Sequence, residues 1–135
     1  MPDRDAALLA LRPTIPTEPA DTPAEAFLHR TLRPVLKLQN NALLAVVAAD
    51  VRKQVPGFAG FDPVDQRARL AARMKQDARL KRLVLGLVLG VLTADERAFA
   101  LANDAEVRRR VAGLAAERVV SQTDAVAALV AEASS

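Results

Sequence analysis

Apolar residues recur at three- and four-residue spacing along most of this chain, the signature of helices that bury one face. Leu28, Leu32, Val35, Leu43 and Val46–Val47 keep that period. Ahead of them, Asp21 or Thr22 supplies a cap, Pro23 suits a first helical position, and Glu25 falls in the first turn. A long first helix is therefore predicted from near residue 22 to near residue 54, ended by Pro56-Gly57. Its stretch 42–49, ALLAVVAA, is apolar all round and predicts burial on several sides. Pro34 sits inside this helix and is expected to bend or break it. Phe58 and Phe61 lie in a connecting loop and are expected to plug one end of the core.

Asp62-Pro63 starts a second helix, to about residue 76, and Asp77 can cap the next. The run 80–92, LKRLVLGLVLGVL, reads as the most buried segment. Thr93 and Glu96 have capping-box spacing and predict a short helix to about residue 102. Asn103 or Asp104 opens the last helix. Val107, Val111, Leu114, Val119, Gln122, Val126 and Val130 carry its period to about residue 132, with fraying expected after Ser121. Residues 1–22 contain Pro2, Pro13, Pro16 and Pro19 and are expected to form an extended or flexible tail, with docking or one helical turn left open for residues 6–11. The expected fold is all-α: a single helical-bundle domain over 23–135, of four to six helices, with a proline-bent long first helix.

Composition supports helices. Apolar residues make up 51% of the 135, yet only Phe27, Phe58, Phe61 and Phe99 are aromatic, so the core must be built from Leu, Val and Ala. Zero cysteines exclude disulfides and thiolate chemistry and suit a reducing cytoplasm. The N-terminal apolar run, residues 6–11, does not resemble a signal peptide. The longest uncharged apolar run, 83–92, is ten residues, about half of a membrane span. A cytoplasmic protein with no membrane partner is expected.

The residues that most enzymes use are nearly absent. His29 is the only imidazole; Glu25, four residues earlier, could orient it, but a zinc site needs further ligands of the usual kind. The acids Asp95, Glu96, Asp104 and Glu106 stand at predicted helix starts, where capping accounts for them. No phosphate loop, nucleophile elbow or paired-histidine motif is present. The chain is read as leaning away from catalysis, with no metal and no cofactor expected.

Three features remain as candidate sites. The segment 31–40, TLRPVLKLQN, places a proline in an otherwise good helix, and local rules are often broken at functional sites. His29, Arg30, Arg33, Pro34, Lys37, Gln39, Asn40 and Asn41 form a polar strip there, the candidate ligand or partner surface. Gly86 and Gly90, four apart on one helix face, suggest a neighbouring helix packed very close, within the fold or across a subunit interface. Charge supplies the third. Residues 1–26 hold two basic and five acidic side chains, whereas 27–135 hold seventeen basic and eleven acidic. The cations Arg67, Arg69, Arg73, Lys75, Arg79, Lys81, Arg82, Arg108, Arg109 and Arg110 form a candidate nucleic-acid patch. No aromatic stacking platform accompanies it.

The run 27–40, FLHRTLRPVLKLQN, preceded by Arg12-Pro-Thr-Ile-Pro16, resembles a family of small bacterial helical proteins with a TLRPxxKLQ-type core. Family members share a later glycine-containing apolar helix, a T-x-x-E helix start and an E-R pair; the counterparts here are 83–92, Thr93 to Glu96, and Glu117-Arg118. The resemblance spans roughly residues 12–122 and implies the helical fold. Some members carry the automatic label "glyoxalase", but glyoxalase I-type enzymes are βαβββ proteins with His/Glu metal ligands, and the type II enzymes need a histidine-rich motif. One histidine and no strand pattern do not fit either, and the resemblance assigns no site residue. The function expected from the sequence is protein–protein contact with itself or another helical protein. Weak sequence-nonspecific nucleic-acid binding is the alternative, and an enzyme is the third choice.

Overall fold

The computed structural model describes residues 2–15, 20 and 22–134. All regular structure among them is helical. Helix α1 spans Pro2–Leu11, α2 Pro23–Phe27, α3 Arg33–Leu38, α4 Asn40–Gln54 and α5 Pro63–Gln76. They are followed by α6 Ala78–Leu89, α7 Ala94–Ala102, α8 Asp104–Ser121 and α9 Thr123–Ser134. The all-α expectation holds, but the helices are shorter and more numerous than the four to six predicted.

The expected long first helix is corrected in three respects. It is not first, because α1 precedes it. It is also not continuous, and its proline is accommodated rather than marked by a simple bend. α2 starts where expected, with Thr22 Oγ1 accepting a hydrogen bond from the Glu25 amide at 3.1 Å. It runs directly into a π-helical segment, Leu28–Leu32, and then into α3. Proline has no N–H, and its ring collides with the carbonyl four residues back. The widened turn ahead of Pro34 relieves this crowding: the Arg33 amide bonds to the Leu28 carbonyl, five residues back. The break comes later, at Gln39, with φ −88° and ψ 9°. Its side-chain amide donates to the Leu87 carbonyl of α6 at 2.8 Å, which anchors the break to the core.

Residues 2–11 are not an extended tail. α1 lies against the start of α7, where Asp5 Oδ1 accepts from the Ala94 amide at 3.2 Å and Arg4 donates to the Gly90 carbonyl at 2.9 Å. The part of the tail expectation that concerns residues 1, 16–19 and 21 falls outside the described residues.

The core is aliphatic. Val35, Val47, Val51, Leu70, Val88, Leu92, Ala115, Val119 and Val126 are sealed from solvent. α4 packs on α9, α8 and α6, while α8 also meets α5 and α6. Phe58 is fully buried in a 3-10 turn, Phe58–Gly60, that touches α9, as expected for a plug; Phe61 is only half-buried. Buried Gln66 donates to the Phe58 carbonyl at 3.1 Å and holds the turn closed. Gly57, at φ +79°, reverses the chain ahead of it in a conformation that favours glycine. The capping box of α7 is present in full. The expected single helix to residue 132 is instead two, α8 and α9, divided at Gln122.

Candidate functional site

The TLRPVLKLQN segment faces α8 across an open cleft of about 540 Å³. One wall carries Arg33, Lys37 and buried Leu36 of α3; Ile15 also lines the cleft. The other carries Leu114, Glu117, Arg118, Ser121 and Gln122. Arg33 and Lys37 are one turn apart on the same helix face. Both are exposed, and neither is ion-paired among the described residues.

The two walls are locked together by amides. Asn40 Nδ2 donates to Gln122 Oε1, and Gln122 Nε2 donates back to Asn40 Oδ1, each at 2.8 Å. Arg118 Nη1 donates to the same Asn40 oxygen at 3.3 Å. Both partners stand at helix breaks, Asn40 just after Gln39 and Gln122 between α8 and α9. The pairing therefore fixes two kinks against each other.

The rest of the predicted strip does not join this cleft. Pro34 is buried, His29 is half-buried in the π-helical segment, and Arg30 and Asn41 are exposed outside it. Gln39 is committed to the Leu87 carbonyl. Among the described residues, no group of three or more His, Asp and Glu is placed to hold a metal ion.

The predicted basic patch divides. Lys81, Arg82, Arg108 and Arg109 line a groove of about 450 Å³ between α6 and α8, with buried Leu85 and Val111 among its lining residues. Lys75 and Lys81 edge an adjoining apolar groove lined by Met74, Ala112, Ala116 and Val120. Arg73 does not present its charge outward. Its guanidinium bridges Asp50 and Asp77 at 2.8–2.9 Å. The hydrogen bond to Asp50 raises its pKa above the ordinary value, against the opposing effect of burial. Arg69 lies over the Phe61 ring at 5.6 Å. Arg67 and Arg79 are exposed but do not line the groove. Arg108 pairs with Asp104, and Arg109 and Arg110 both pair with Glu106. Those two arginines hold the Glu106 carboxyl below its ordinary pKa.

The expectation of a helix packed against Gly86 and Gly90 within the fold is corrected. Both are exposed; a Cβ at Gly86 would meet nothing within 4 Å, and one at Gly90 would meet only the Gly86 carbonyl of its own helix at 3.1 Å. The buried face of α6 is instead Leu80, Val84, Leu85 and Val88. Leu83 is half-exposed, so the run 80–92 is amphipathic rather than buried all round.

Sequence reasoning missed the most enclosed charged pair. Arg12 grips Glu96 through both guanidinium Nη atoms, and Arg12 is also within 3.4 Å of the Val91 carbonyl. Glu96 closes its own capping box by accepting from the Thr93 amide at 2.9 Å. Arg12 Nε is buried with no hydrogen-bond partner among the described residues. Burial pushes the Glu96 carboxyl up, but Arg12 and the Thr93 amide outweigh it and hold the pKa below the ordinary value. The T-x-x-E spacing located Glu96; nothing local to Arg12 named its partner, 84 residues away.

Fold and geometry together define an all-helical bundle with a polar cleft on one face and a cationic groove on another. Compared with known proteins, the chain matches no family model, no curated protein and no solved structure.

Proposed function

We propose that this chain is a non-catalytic cytoplasmic helical protein that acts by protein–protein contact, foremost with a second copy of itself. The supporting observation is the outward face of α6. Leu83 is 51% exposed, and Gly86 follows one turn later with open space above it. Leu83, Gly86, Leu87 and Gly90 fall on one helical stripe. Leu87 packs partly against the core, so the small residues would let a second backbone approach closely while Leu83 supplies the exposed apolar area. Sedimentation equilibrium of the wild type and Leu83→Glu tests this. The wild type is expected to shift toward dimer as concentration rises and the variant to remain monomeric. A wild-type chain that stays monomeric at high concentration removes self-association from the reading. The TLRPxxKLQ-type family remains the proposed relationship, resting on residues 27–40.

A second reading, nonspecific nucleic-acid binding, is favoured by one observation: Lys81, Arg82, Arg108 and Arg109 line a single groove. It predicts duplex binding that weakens steeply with salt, as counterion release requires. Charge reversal of Lys81, Arg82 and Arg109 together should abolish it. Arg73 is a poor probe, because it holds two carboxylates in place. Unchanged affinity in the triple variant would sink this alternative.

A further inference from the structure

We infer that the cleft between α3 and α8 is a binding site for a small amphiphilic anion: one oxyanion, carboxylate or phosphate-like, on an apolar body. Its volume of about 540 Å³ falls within the ordinary range for small-molecule sites, about 300–1,000 Å³. Among the described residues, three cations line it, Arg33, Lys37 and Arg118, against one acid, Glu117. The imbalance favours an anion, and the position of Glu117 restricts where that anion sits. Arg33 offers a planar fork suited to two oxygens, and Lys37, one turn on, adds a point charge. Arg118 is pre-positioned on the opposite wall because Asn40 holds its Nη1. Leu36, Leu114 and Ile15 supply apolar lining for the remainder of the ligand.

The backbone supplies an independent reason. The wall bearing Arg33 and Lys37 follows a π-helical segment and contains Pro34 near its start. Widened turns of this kind are rare and recur at functional sites. Here the widened turn sets the phase of α3 after Pro34, and the Gln39 break and the Asn40–Gln122 pair then fix α3 against α8. None of the cleft residues belongs to the α6 stripe, so this inference and the self-association reading fail separately.

The experiment is titration of the full chain with anilinonaphthalene sulfonate, a fluorescent aromatic anion, in competition with decanoate and with inorganic phosphate. The chain has no Trp or Tyr to interfere with its signal. Saturable binding to one site per chain is expected, displaced by decanoate well before an equal concentration of phosphate. Arg33→Gln/Lys37→Gln should bind about tenfold more weakly or worse, the loss of a charge-assisted contact. Lys81→Gln/Arg82→Gln, in the other groove, should bind as the wild type does. Wild-type affinity in the Arg33/Lys37 pair overturns the proposal, as does equal loss in both pairs, or phosphate competing as well as decanoate. Misfolding of a variant is distinguishable, because exposed core increases the dye's fluorescence rather than abolishing it.

Discussion

Two groups of arginine–carboxylate pairs behave differently in this molecule. Arg12 and Glu96 join α1 to the start of α7, with side chains only 8% and 18% exposed. Arg108–Asp104, at the start of α8, has both partners about half-exposed, at 55% and 50%. The chemistry is the same and the surroundings are not. In water an ion pair competes with hydration and gains little. At a partly buried junction the charges have already lost water, so removing one partner strands the other. The triple arginine 108–110 is the more conspicuous feature in the sequence, and Arg12 lies in what reads as a tail, yet Arg12 is the charge that holds distant elements together.

Glu96→Ala should break the comparison at its strong end. It removes the α7 cap reciprocity and leaves the Arg12 guanidinium enclosed without its carboxylate, at an expected cost of about 3 kcal/mol. Denaturant unfolding monitored by helical circular dichroism checks this; a loss below about 1 kcal/mol would place the pair with ordinary surface pairs. Acid tests the same junction. The folded-state pKa of Glu96 is lowered, chiefly because Arg12 overcomes the upward push of burial. Its contribution to stability is therefore present above the ordinary carboxylate pKa and is lost as pH falls through the depressed folded value. The wild type should lose stability over that acidic window more than Glu96→Gln does. Parallel curves for the two would remove Glu96 from the account of acid lability.

Gly113→Ala sharpens the comparison from the α8 side. Gly113 is exposed in the helix interior, and a Cβ there meets nothing within 4 Å. The substitution should stabilise by about 0.5–1 kcal/mol through backbone entropy, without any new contact, read as a rise in melting temperature. Arg108→Ala should have the smallest effect, within about 0.5 kcal/mol of wild type. A larger loss there would mean that the α8 pairs act as a network.

Much of the helical content was legible from local residues. Thr22, Asp77, and Thr93 with Glu96 cap helices through their side chains as their chemistry requires, and Pro23 and Pro63 take first helical positions; Asp62 precedes its helix without a side-chain capping bond. Gln39 and Gln122 break helices without a breaker residue, and they do so where Asn40 and Gln122 bond to each other across 82 positions. No local rule contains that pairing. The same limit applies to the candidate site. The unusual Pro34 segment was visible, but which of its polar residues face a cleft depended on where α8 passes.

By itself the sequence determined the all-helical class, the aliphatic core, most helix starts and the scarcity of reactive side chains. These follow from local propensity, capping and composition, which act within a few residues. Tertiary structure alone decided that Arg12 meets Glu96, that Arg33 and Lys37 share a cleft with Arg118, and that Gly86 faces outward. Each of those depends on which faces of distant helices meet when the aliphatic core is buried, a choice made by the whole chain at once.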